Sequence, residues 1–158
     1  MNKAGVLEAL QTEHDAMERA IAGLASEWMT GPVLANGWSV KDALAHIAAW
    51  EAELVTALYQ GSRVRVPSIA RAMADVDAWN AARYEENRDR PFDRVLSDWR
   101  GVRQALVRRL EEWDDAALAA ELPWRPGVTL LDLIEANSYG HEREHRLELE
   151  ARAGGAGE

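Results

Sequence analysis

The chain has no cysteine, which excludes disulfides, thiolate metal ligands and a cysteine nucleophile. Valine, isoleucine, threonine and phenylalanine are sparse, so the side chains that favour strands are too few for a large sheet. No apolar run approaches the ~20 residues that a bilayer-spanning helix needs. The opening Met1-Asn2-Lys3-Ala4-Gly5 leads into an amphipathic pattern without the continuous apolar core of a signal peptide, and a cytoplasmic location is expected. Positive charge is the minority, with 18 basic against 27 acidic residues and a formal charge of -9. On that balance no nucleic-acid partner is expected, since phosphate binding needs a basic face, and no anionic membrane surface either. There is no phosphate-cradling G-x-x-x-x-G-K-[ST] or G-x-G-x-x-G loop and no serine elbow.

What is abundant favours helix: alanine, leucine, glutamate and arginine. The 158 residues read as one domain over 1–153 with a flexible glycine-rich tail at 154–158. Val6, Leu10, His14, Met17, Ile21, Leu24 and Trp28 recur at steps of three and four, predicting a first helix over Lys3–Trp28. Ser39-Val40-Lys41-Asp42 is a capping-box pattern that opens a second helix ending at Gly61, with Trp38 expected to pack back on its first turn. Val40, Ala43, Leu44, Ile47, Trp50, Leu54 and Leu58 form its inward face, and His46 lies at the edge of that face. The weakly patterned stretch from Ser62 to Ala74 and a shorter helix over Asp75–Arg88 predict a long crossover. A third main helix starts near Pro91 and carries the cleanest stripe, ending at Trp113. A short turn from Asp114-Asp115 to Leu122 and a loop at Pro123–Gly127 lead to a fourth helix capped by Thr129 and Asp132. Its inward face is expected to read Leu130, Ile134, Ser138, His141, His145 and Leu149. The predicted fold is an all-α four-helix bundle with a long crossover between the second and third main helices.

The chemistry concentrates in His141-Glu142-Arg143-Glu144-His145. Histidines four apart leave one helix face about 6 Å apart along the axis, a geometry that can hold one metal ion. Two solvated or hydrogen-bonded imidazoles are the plain alternative. Burying two polar rings together is costly without partners, and a metal supplies a shared one. His46 is the candidate third ligand, provided that the second and fourth helices adjoin. Three neutral imidazoles leave coordination positions open, and both zinc and nickel accept them. His14 is read as a core histidine or a support for the site.

The five residues also spell H-E-x-x-H, in which Glu142 would be the base of a zinc protease. Only 13 residues follow His145, ending in glycines, and no substrate-binding strand is in prospect, so that reading is set aside. Glu142 and Glu144 remain candidates to tune the site, as solvated flanks or as carboxylates orienting the imidazoles. Asn137 and Tyr139, one turn earlier, are candidate substrate contacts.

The run Gly37-Trp38-Ser39-Val40-Lys41-Asp42-Ala43-Leu44-Ala45-His46-Ile47-Ala48-Ala49-Trp50-Glu51 resembles the entry to the second helix of the DinB-like superfamily. Tyr139-Gly140-His141-Glu142-Arg143-Glu144-His145 resembles its last-helix signature, and the ClbS/DfsB branch in particular; Asp77-Ala78-Trp79-Asn80 before the Pro91 helix also fits that branch. The resemblance implies a bundle, often dimeric, with a divalent metal on three histidines, here His46, His141 and His145. It implies activities that vary between thiol-dependent transfer, isomerisation and hydrolysis. The expectation is a metal-dependent transferase or hydrolase acting on a small electrophile, with a low-molecular-weight thiol as co-substrate and a homodimeric assembly. The alternatives are a metal-independent detoxifying or sequestering protein of the ClbS kind and a non-catalytic dimeric bundle.

Overall fold

The computed structural model describes residues 1–156. The first helix, α1, spans Lys3–Ala22, and the Asn2 side chain caps it by accepting the Gly5 N–H at 3.0 Å. It stops short of the expected Trp28, because Gly23 closes it and Glu27–Thr30 forms a separate turn, α2. Helix α3 spans Val40–Gln60 and opens with the predicted capping box between Ser39 and Asp42. The crossover is a short 3-10 turn over Gly61–Arg63, then α4 (Ser68–Ala74) and α5 (Val76–Asn87). Helix α6 (Phe92–Glu111) follows Pro91, and α7 covers Asp115–Ala119. The expected loop at Pro123–Gly127 is instead the tip and second arm of a small hairpin, with β1 (Glu121–Leu122) antiparallel to β2 (Arg125–Thr129).

The predicted fourth helix is two. Helix α8 (Leu130–Asn137) carries the Thr129–Asp132 capping box, and α9 runs over Tyr139–Gly155. Ser138 between them has φ -138° and ψ -108°, outside helical geometry, and its hydroxyl turns back to the Ile134 carbonyl. Gly140 permits the break. A Cβ there would sit 2.7 Å from the Glu135 carbonyl oxygen, closer than real contacts allow. Of the tail expected at 154–158, Gly154 and Gly155 continue α9 and Ala156 caps it, while residues 157 and 158 lie outside the described part.

Helix α3 packs along α6, α1 along α9 and α6, and α3 also meets α8 and α9, closing the bundle. Two apolar clusters fill it. One gathers Leu10, Leu54, Leu58, Leu106 and Leu110; the other gathers Met17, Leu44, Ile47, Val95 and Trp99. Along α3 the clusters change over between Ile47 and Trp50, and along α6 between Trp99 and Leu106. A charged layer lies at that level. Arg103 donates through Nε to both oxygens of Glu51 at 3.0 and 3.2 Å, through Nη1 to the Leu10 carbonyl at 2.6 Å, and pairs with Glu142 at 2.9 Å. Glu51 and Glu142 are fully buried and Arg103 is 4% exposed. No helix is long and apolar enough to cross a membrane among the described residues.

Candidate metal centre

His46 stands two turns into α3, and His141 and His145 occupy successive turns at the start of α9. The packing of α3 against α9 brings the three rings together. Nε2 of His141 lies 2.9 Å from Nε2 of His46 and 3.1 Å from Nε2 of His145. Two nitrogens bound to one ion at ~2.1 Å stand about 3.0–3.4 Å apart for bond angles between a right angle and a tetrahedral one. The two separations lie close to that range, and the three residues each offer one donor atom within 4.8 Å of the others, so together they could hold one ion. No other group of three such ligands occurs among the described residues.

Burial lowers the proton affinity of all three rings. It brings His46 down to about 4, with the charge of His145 adding to the effect. It brings His141 down to about 3, with His145 and His46 adding. His145 is lowered by burial too, against the opposing pull of Glu148 and Glu144. At neutral pH the rings are uncharged, the state in which imidazole binds metals. On the far side, Nδ1 of His141 and His145 is buried and meets no protein partner among the described residues.

A cleft of about 530 Å³ opens at His46 and His145. Its other walls come from the loop before α3 and from α5: Asn36, Trp38, Asp77, Asn80 and Tyr84. Trp38 reaches past the first turn of α3 and stands edge-on to His46, with centroids 5.1 Å apart, and Tyr84 stacks on its outer face at 6.0 Å. Asn80 accepts the Trp50 indole N–H at 2.9 Å. Lys41 holds α5 in place: its ammonium, largely buried, donates to the carbonyls of Arg88 and Arg90 at 2.5 and 3.2 Å, just where α5 ends. The Trp38 side of the cleft was not anticipated, because no periodicity shows that the crossover folds back over the second helix.

The other sequence candidates sit elsewhere. Glu142 is not a solvated flank; it points into the charged layer, accepting the Trp99 indole N–H at 2.9 Å and pairing with Arg103. His14 lies beside it, 3.6 Å from the carboxylate and stacked on Trp99 at 4.0 Å. Glu144 is exposed. Asn137 is buried and donates to the Leu133 carbonyl, and Tyr139 is buried with its hydroxyl near Met1 Sδ, so neither borders the cleft. The signal for the charged layer was present in the sequence. Glu51 falls in step with Leu44, Ile47, Leu54 and Leu58, and Arg103 with Val95, Trp99, Leu106 and Leu110, so two charges of opposite sign occupy inward positions.

A family model for the mycothiol maleylpyruvate isomerase N-terminal domain matches residues 10–134. The chain belongs to that family. The match takes in His46 and ends before His141 and His145. No curated protein matches the sequence. Among solved structures, an uncharacterised protein of Escherichia coli UTI89 superposes with a TM-score of 0.82 at 15% identity, covering 99% of this chain and 95% of that one. The colibactin self-resistance protein ClbS, crystallised in complex with a dsDNA, gives 0.81 at 14% identity, covering 96% and 95%. These likenesses support the DinB-like, ClbS-type fold read from the second and last helices.

They also correct one expectation. The acidic balance predicts no nucleic-acid partner, yet ClbS shares this fold and was crystallised in complex with a dsDNA. Net charge sums over the whole surface, whereas phosphate binding depends on where a few cations stand.

Proposed function

We propose that this protein is a metal-dependent enzyme in which His46, His141 and His145 hold one divalent ion, zinc or nickel, at the floor of the Trp38–Tyr84 cleft. The observation that carries the reading is the convergence of three Nε2 atoms, neutral at working pH, beside an open cleft. When bound, a divalent ion supplies a Lewis acid able to activate water or a thiol toward a small electrophile, as a hydrolase or thiol transferase requires. The chain's own residues do the rest. Trp38 limits rotation of the His46 ring, Tyr84 and Trp38 offer aromatic surface to a substrate, and Asn80 offers its amide. Glu142 acts through α9, fixing the rotation of the helix that carries two of the ligands. Assembly as a homodimer belongs to the same proposal.

Untagged protein is analysed for bound metal, as purified and after incubation with zinc or nickel, beside His145→Ala. About one ion per chain in the wild type and a clear loss in the variant are expected. Absence of metal under every condition would sink the reading, and undiminished metal in the variant would sink the ligand assignment. Light scattering on the same sample reads the assembly state.

One observation favours a second reading, a ClbS-like protein that sequesters a reactive small molecule without metal. Ligand imidazoles are ordinarily fixed by a hydrogen bond at the nitrogen opposite the metal, and Nδ1 of His141 and His145 has no such partner in the protein. Activity or binding that survives complete removal of metal selects this reading. Because ClbS was crystallised with dsDNA, a DNA duplex belongs among the ligands screened.

A further inference from the structure

A second cavity, of about 420 Å³, lies at the other end of α3. It shares no lining residue with the cleft at the histidines. Ala57 is 11 residues beyond His46 on the same helix, a separation of about 17 Å at 1.5 Å per residue. The floor is apolar, with Leu58 and Leu133 from the core and Ala117 from α7. Two indoles, Trp113 and Trp124, form the walls, and both are half-buried. Gly61, with φ +51°, turns the chain at the mouth, where a side chain would stand against the Trp113 ring.

The charged groups at the rim are not equivalent. Glu121 is engaged, accepting the Gly127 N–H at 3.0 Å. Arg65 also lines the cavity and is exposed, and it makes no ion pair or hydrogen bond among the described residues. The cavity thus joins an apolar, aromatic interior to a cation, Arg65, that is unpaired among the described residues. That combination is what a ligand pocket has when a few polar groups set the orientation of a mostly apolar molecule. Half-buried indole faces favour a planar ring system, and a guanidinium matches a carboxylate or sulfonate.

We propose that this cavity is a second ligand site, taking a flat aromatic molecule with a single anionic group that pairs with Arg65. The ring system would lie against Trp113 and Trp124, and the anion would stay at the rim. The proposal is independent of the metal centre.

The test uses the full chain and two probes of like shape, anionic 8-anilinonaphthalene-1-sulfonate and neutral N-phenyl-1-naphthylamine, titrated by fluorescence. Saturable binding of the anionic probe at one site per chain is expected. Arg65→Ala should weaken that probe about five- to tenfold, the scale of one net hydrogen bond at an exposed rim, and leave the neutral probe unchanged. Ala117→Phe, which fills the floor, should weaken both, and His145→Ala should affect neither. Near-UV circular dichroism confirms that each variant keeps its packing; Arg65 is exposed, so the charge test stands even where Ala117→Phe does not fold. The proposal is overturned if the anionic probe does not saturate, if Arg65→Ala leaves it unaffected, or if His145→Ala abolishes it. An affinity that falls as protein concentration rises would also overturn it, since that is the signature of a second copy covering the cavity.

Discussion

Arg103→Met is the most informative single change to the bundle. Methionine keeps much of the stem of the arginine, so little cavity opens, but the one cation of the buried layer disappears. Glu51 and Glu142, both fully buried, lose their partner, and the Leu10 carbonyl loses a donor. Breaking a buried pair by removing one member costs about 3–5 kcal/mol, because the remaining charge is left in a medium that solvates it poorly. For a chain of this size each kcal/mol is worth about 2–4 °C, so the melting temperature should fall by roughly 6–20 °C. The deficit should also depend on pH. Burial chiefly holds Glu51 above the ordinary carboxylate range; Arg103 opposes this and Glu142 adds to it. A carboxyl whose folded pKa exceeds its unfolded value binds its proton more tightly when folded. It therefore lowers stability as pH rises past the unfolded pKa, and the loss is complete above the folded one. Without Arg103 the upward pull on Glu51 is unopposed, so the variant should be weaker relative to wild type at about pH 8 than at about pH 5. Urea melts of both proteins at the two pH values measure this. A loss under about 1 kcal/mol, or a deficit that does not shrink on acidification, would refute the account of the layer as a mutually dependent charge cluster.

Three further outcomes are expected. The metal-free protein should lose stability as pH falls from about 6.5 toward 4, since His46 and His141 resist protonation when folded and accept it when unfolded; His46→Gln should flatten that part of the pH–stability curve, and an unchanged slope would count against a buried neutral His46. Gly140→Ala places a methyl on the Glu135 carbonyl and should cost about 2 kcal/mol or more, as backbone clashes in packed cores do; bound metal measured in the same variant should fall, because the junction sets the start of the helix carrying His141. Lys41→Met removes the cation that meets the Arg88 and Arg90 carbonyls; hydrogen exchange should rise in α5 while α3 and α6 stay protected, and uniform exchange across the three would argue against a local clamp.

Much of the architecture could be read in advance. Both capping boxes, Ser39–Asp42 and Thr129–Asp132, form as their spacing predicts, since that motif satisfies its own backbone donors within one turn. The apolar stripe of α6 is equally local in origin. The histidine pair was legible because four residues bring a helix back to nearly the same face. The end of α1 at Gly23 and the break at Ser138 were missed because apolar spacing continues across both, and the decisive terms are a glycine cap and a carbonyl contact that periodicity does not register.

The sequence by itself determined that this is a helical, cysteine-free chain with two imidazoles one turn apart on its last helix and a third on its second main helix. Only the tertiary structure decided how close those rings come, because a sequence separation of 95 between His46 and His141 imposes no distance. It also decided that Glu142 faces a buried arginine, since ion pairing inside a bundle joins residues from helices far apart in the chain. And it decided which wall stands over the histidines. That wall is a crossover helix with no buried residues of its own, so its placement is written in tertiary contacts such as Lys41 with the Arg88 carbonyl and Trp38 with Tyr84.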